Sequence, residues 1–220
     1  MVPSSHTGVT PAAQAWQITA CRGAEACASG LVRLSPLASE IDLAVRRAGW
    51  AEHLHRAFPD GHRPHHRLRI AVAACPNGCS QPQICDVGLI AWAPPHVDAE
   101  ACAACGACLG SCRECALSLG PKRIALDPVR CVGCAACARA CDSGALHAAL
   151  PSFRLLLGGH LGRHPAWALE LPLRLAPRQT GPAVERVIDM LVRHARPDER
   201  VGQTVRRLGL TAFTEALRSC

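Results

Sequence analysis

The sequence predicts a mixed α/β (α+β) domain whose chain is interrupted by a small cysteine-rich insert. Three observations carry that prediction. Strand-period and helix-period apolar patterns lie on both sides of a middle stretch, Pro94-Pro95 punctuates the first side, and from 96 to 149 the composition turns to Cys, Ala and Gly with two similar cysteine runs. At 220 residues the chain is one or two domains, long enough to bury a core.

Residues 1–15 are small, polar and proline-containing, and read as a disordered lead-in. Ser35-Pro36 opens a helix, with a capping hydroxyl followed by a proline at the first helical position, and Leu37, Ile41 and Val45 recur every fourth residue. Gly49 weakens it. Trp50, Leu54 and Phe58 resume the pattern until Pro59-Asp60-Gly61 ends it with turn chemistry. Leu68, Ile70 and Val72 then alternate with Arg67, Arg69 and Ala71, the period of a strand with a basic face, and this strand runs into Cys75-Pro76-Asn77-Gly78-Cys79. Residues 86–91, DVGLIA, read as a short buried strand. Beyond the insert, 153–157 reads as a strand leading into a glycine loop at 158–163, Val184, Val187, Ile188, Leu191 and Val192 form a helical stripe, and a capped helical segment runs from Asp198. The domain is therefore expected in two parts, 16–95 and 150–220, with 96–149 between them.

Composition excludes several classes. Aromatic content is 3% with no tyrosine, a poor basis for stacking single-stranded bases, and the arginines are scattered rather than blocked, which argues against nucleic acid. No apolar run approaches the ~20 residues of a membrane span, and MVPSSHTGVTPAAQ has none of the regions of an export signal, so the expected location is the cytoplasm. In that reducing compartment fifteen cysteines point to metal rather than to a disulfide framework.

Cys102, Cys105, Cys108 and Cys112 are spaced C-x2-C-x2-C-x3-C, and Cys131, Cys134, Cys137 and Cys141 repeat that spacing. Three thiolates two residues apart wrap three corners of a cubane, whereas structural zinc takes two pairs separated by a longer loop. A segment this short cannot hold itself by apolar burial alone, so metal is expected to supply its core. The segment resembles the bacterial two-cluster ferredoxins, with Arg113 and Asp142 standing where a proline follows the fourth cysteine in those proteins. The resemblance implies two 4Fe-4S clusters with exchanged fourth ligands, one on Cys102, Cys105, Cys108 and Cys141, the other on Cys131, Cys134, Cys137 and Cys112. Such a module passes single electrons.

Outside the insert, Cys21 and Cys27 are spaced C-x5-C and Cys75 and Cys79 C-x3-C. Four thiolates in two pairs suit a third 4Fe-4S cluster, a zinc site or plain buried thiols. The surroundings resemble the 4Fe-4S and siroheme region of the nitrite and sulfite reductase family. The likeness covers both cysteine pairs, the C-P-N-x-C turn after a basic strand, Asp86, Gly88 and Leu89 in the strand that follows, and FRLLLGGHLGRHP downstream, across residues 16 to 218. The ferredoxin insertion is similar to that of the anaerobic sulfite reductase C subunit.

The resemblance implies a third cluster on Cys21, Cys27, Cys75 and Cys79, with Cys79 also the axial ligand of siroheme. It implies that Arg67 and Arg69 bind siroheme carboxylates or a small oxyanion substrate, although a solvated strand face fits two arginines equally well. His160 and Arg163 sit in the glycine loop, where a surface role is as natural. The family's reductase subunits carry a half-domain before the first cysteine pair, and only fifteen residues precede Trp16 here. The expectation is therefore either a partner subunit that completes the siroheme pocket or a haem-free electron carrier serving a partner enzyme, with a redox protein or reductase subunit supplying electrons. A zinc-binding interaction protein is the rival from another class. Three clusters at about −2 each would offset most of the formal +7. Cys85, Cys115 and Cys220 are left over, Cys85 read as buried and Cys220 as a mobile terminus.

Overall fold

The computed structural model describes residues 15–21, 26–196 and 199–218. The predicted lead-in lies outside the described residues except for Ala15, which is buried and whose carbonyl accepts from Leu68 N–H and the Trp50 indole. Asp198 and Cys220 also lie outside them.

A five-stranded mixed sheet forms the centre. β1 (Trp16–Ala20), which the sequence reading missed, runs parallel to β2 (Leu68–Ala73), and β2 runs parallel to β3 (Val87–Trp92). The connection from β1 to β2 carries α1 (Ser35–Arg47) and α2 (Trp50–Ala57). Leu37, Ile41 and Val45 bury the α1 stripe as predicted, but Leu34 takes the cap position and Ser35 falls inside the first turn. Gly49 breaks the two helices with a φ of 70°, a conformation open to glycine without a Cβ penalty.

Between β3 and the next strand of this sheet the chain builds the cysteine-rich segment. There β4 (Pro95–Val97) pairs with β7 (Leu146–Ala148), β5 (Leu117–Leu119) pairs with β6 (Ile124–Leu126), and α3 (Ala136–Arg139) is a single turn. Its own buried cluster is small: Leu117, Ile124 and Leu146 packed with the thiols Cys108 and Cys137. The chain then returns through β8 (Ser152–Leu157), antiparallel to β3, and β9 (Leu169–Glu170) completes the sheet in the order β1-β2-β3-β8-β9.

Leu68, Ile70 and Val72 face the main core with Leu89, Phe153, Leu155 and the stripe of α4 (Pro177–His194), in which Val184, Val187, Ile188 and Leu191 are buried. Each such side chain contributes on the order of 2 kcal/mol when fully buried. The opposite face of β2 is basic only at its start: beyond Arg69, Ala71 and Ala73 are buried, and Pro82 packs over Gly88 of the neighbouring strand. Any side chain at Gly88 would collide with the Pro82 carbonyl. α5 (Val201–Leu208) and α6 (Leu210–Arg218) close the fold. α5 sits on the glycine loop so closely that a Cβ at Gly202 would lie 2.5 Å from the Gly158 carbonyl oxygen. Among the described residues no helix is long and apolar enough to cross a membrane.

Candidate metal centres

Parallel pairing of β1 and β2 brings together cysteines that lie far apart in sequence. The register sets Ala20 beside Val72, and the ladder continues one step further, Cys21 N–H donating to the Val72 carbonyl at 3.1 Å. Ala74 N–H in turn donates to Cys21 Sγ at 3.4 Å. Leu31 N–H donates to the Ala74 carbonyl at 2.8 Å, tying the loop that holds Cys27 to the start of the Cys75 turn. In that turn Gly78 has a φ of 63°, Ser80 is anchored on the Val72 carbonyl, and the Asn77 amide donates to Cys79 Sγ at 2.9 Å. Burial pushes the Cys75 thiol above its ordinary pKa, and the neighbouring thiols Cys79, Cys27 and Cys21 push it further, which places all three close to Cys75. Cys27 and Cys79 are exposed, and Cys75 is buried beneath them.

The insert is built twice. Every cysteine of the first run recurs 29 positions later, as 131 minus 102 shows, and so does the backbone around it. Ala104 and Gly133, Gly106 and Ala135, and Cys115 and Gly144 all have positive φ. Asp98 and Asp127, each four residues before a run, accept two backbone N–H groups apiece with Oδ1. These left-handed residues coil the backbone so that successive cysteines turn inward.

The fourth cysteines cross over. Burial raises the Cys108 thiol, helped by Cys141, Cys105 and Cys102, and a small cavity is lined by these same four cysteines with Ile124 and Leu146. Burial likewise raises Cys131, with Cys134 and Cys112 adding to it, and pushes Cys137 up to about 11, with Cys134 and Cys131 adding to it. Ala116 N–H donates to Cys112 Sγ at 3.3 Å. The Ser143 hydroxyl, 3.5 Å from Cys141 Sγ, holds that thiol below its ordinary pKa.

These three sets fit 4Fe-4S cubanes. Four thiols grouped in each set supply the donors of one cubane, whose cationic core would displace their protons, and N–H groups aimed at sulfur, as from Ala74 to Cys21 and from Ala116 to Cys112, are what tune such a core. A single zinc with Zn–S of about 2.3 Å would pull its thiolates to within about 4 Å of one another. Among the described residues no three His, Cys, Asp or Glu side chains close on a point as the ligands of one ion do. All fourteen described cysteines are unpaired.

Arg67 and Arg69 sit elsewhere. They lie at the start of β2, whereas Cys75 follows its far end, and six residues of extended chain separate Arg69 from Cys75 by about 20 Å. Both line a cavity of ≈ 590 Å³ that includes none of the four cysteines. Arg69 N–H donates to Asp86 Oδ2 at 2.8 Å, and its guanidinium rests 3.9 Å from the buried Cys85 Sγ. His160 reaches this cavity; Arg163 is exposed. The sequence reading missed the other cavity residues, Arg63, Arg196, Arg200 and Glu199, because they come from separate segments. Their only signal is the basic run HRPHHR and the charge-balanced run RPDER.

A split α/β fold with three cysteine sets, two of them a ferredoxin-type pair, defines an iron–sulfur redox protein. The family model of the nitrite and sulphite reductase 4Fe-4S domain matches residues 12–219, and the chain belongs to that family. Over 94 residues it is 34% identical to the coenzyme F420-dependent sulfite reductase of Methanocaldococcus jannaschii, covering 43% of this chain and 13% of that one. Over 95 residues it is 28% identical to the anaerobic sulfite reductase C subunit of Salmonella typhimurium, covering 43% and 23%. The chain thus spans less than a quarter of each of these relatives. Its fold is that of dissimilatory sulfite reductase I, with a TM-score of 0.56, 17% identity, and 91% of this chain and 51% of that one covered.

Proposed function

We propose that the chain is the iron–sulfur electron-relay part of a sulfite or nitrite reductase, holding three 4Fe-4S clusters and siroheme. The observation that supports it most is the meeting of Cys21 and Cys27 with Cys75 and Cys79 at one end of β1 and β2, through the bonds of Cys21 to Val72 and Ala74. Segment 96–149 is proposed as the ferredoxin-like insert, with Cys102, Cys105, Cys108 and Cys141 holding one cluster and Cys131, Cys134, Cys137 and Cys112 the other. Residues 16–95 and 150–220 form the domain that carries the third.

When bound, siroheme supplies an iron at which a small oxyanion is reduced. The chain's own contribution is to position. Exposed Cys79 presents its sulfur outward, the Asn77 amide orients that sulfur, and Ser80 pins the turn to β2. Buried Cys75 anchors the opposite corner away from water. Arg67 and Arg69 keep an anion-binding reading, at the other end of the sheet. The proposed partners are a redox protein or reductase subunit that supplies electrons and a further polypeptide that completes the siroheme pocket, in the cytoplasm.

Iron, sulfide and tetrapyrrole content of anaerobically prepared protein tests this reading. It expects ~12 irons per chain, four for each thiolate set, and one tetrapyrrole. Cys79→Ser is expected to release tetrapyrrole while leaving the eight-thiolate insert loaded. Clusters without tetrapyrrole would leave a haem-free carrier serving a partner enzyme, and two or three zincs would overturn the redox reading altogether.

A further inference from the structure

The ≈ 590 Å³ cavity at the start of β2 is of cofactor size, and its walls are unbalanced in charge. Arg63, Arg67, Arg69, Arg196 and Arg200 line it against two carboxylates, Asp86 and Glu199. Glu199 is already engaged: it accepts from the Arg207 guanidinium at 2.8 Å, from the Thr204 hydroxyl at 3.0 Å and from Arg196 N–H at 3.2 Å. Asp86 is occupied by Arg69 N–H. Among the described residues Arg63, Arg196 and Arg200 make no salt bridge. The surplus of positive potential is visible in His66, whose pKa is lowered by burial first and then by His65, His62, Arg63 and Arg200. Such crowding of like charge is unfavourable until an anion enters.

The guanidinium groups come from three directions: the turn at 63–67, β2, and the connection from α4 to α5. A planar carboxylate meets guanidinium forks in one plane only, whereas a tetrahedral phosphate offers oxygens to several at once. Trp50, Leu54 and Leu191 give the cavity an apolar wall suited to an organic body.

We propose that this cavity binds a phosphate-bearing small molecule, held by Arg63, Arg69, Arg196 and Arg200 at a site separate from the cluster thiols. The proposal deepens the anion-binding reading of Arg67 and Arg69 and is independent of the clusters, because none of its residues is a cluster cysteine.

Inorganic pyrophosphate is the probe, titrated by calorimetry into the anaerobic, cluster-loaded protein with citrate and sodium chloride of matched ionic strength as controls. Saturable pyrophosphate binding is expected, weakening as salt rises. Arg63→Gln and Arg200→Gln lie on different segments, and each is expected to weaken it at least tenfold with the cluster absorption unchanged. Either variant that keeps its cluster absorption suffices for the comparison. Binding no stronger than chloride, or undiminished in such a variant, overturns the proposal. Citrate binding tighter than pyrophosphate and lost in the same variants overturns the phosphate assignment. Wild-type protein that binds pyrophosphate but, prepared anaerobically, carries no iron–sulfur clusters would sink the reductase reading and leave this one standing.

Discussion

Asp86 shows how one buried carboxyl can bear on the whole fold. Desolvation raises its pKa to about 6, against the opposing pull of Arg69 N–H and the Arg69 and Arg200 charges. A carboxyl whose folded pKa lies above its unfolded value binds more protons when native, so its contribution to stability falls as pH rises through that interval. Between about pH 4 and pH 6 the protein is expected to lose up to about 3 kcal/mol from this group, with no further change above. Denaturant midpoints across that range check it, and Asp86→Asn should flatten the slope. If the slope persists in the variant, another group is responsible. Cys115 is a contrasting case at this scale: it holds the left-handed position that Gly144 holds in the second repeat, and it belongs to none of the three thiol sets.

At the scale of elements, backbone contact replaces side-chain packing wherever the glycine loop meets a neighbour. Gly158 has a φ of 79° and touches Gly202 of α5, while a Cβ at Gly159 would meet the Gln83 carbonyl. FRLLLGGHLGRHP marks this loop in the sequence, but its partner Gly202 lies some forty residues on in an unremarkable helix, and nothing local announces the contact. Gly202→Ala is expected to destabilise by about 1–3 kcal/mol, since the added methyl would press on the Gly158 backbone carbonyl, which cannot swing aside as the Arg206 and His160 side chains can. Chemical denaturation measures the loss, and a change within a few tenths would show that α5 is not seated as described. Strands were legible unevenly. β2 and β3 announced themselves by alternation and continuous apolar runs, whereas β1 and β9 are short and partly exposed. Their pairing with β2 and β8 defines them more than their own composition does.

Over the whole molecule, two cores of unequal strength divide the chain. The main sheet has a large apolar cluster reaching from Ala15 to Phe213, while the insert buries only three large aliphatic side chains with a few alanines and two thiols. Removing iron by oxidation and chelation is therefore expected to abolish amide-exchange protection across 96–149 and to leave β2, β3 and β8 protected. Uniform loss, or none, would contradict this division. The sequence by itself determined the two repeated cysteine runs, the helical stripes of α1 and α4, and the central strands, because each is written in local spacing that secondary-structure geometry reads directly. Spacing alone left open, and the family resemblance only implied, that Cys21 meets Cys75 and that Cys112 and Cys141 exchange sides; the tertiary structure alone put Arg69 against Asp86 and Cys85 rather than the thiol set. These depend on parallel register, on folding a repeat back on itself and on where a strand begins, and no local pattern encodes the distance between two segments before the chain has closed.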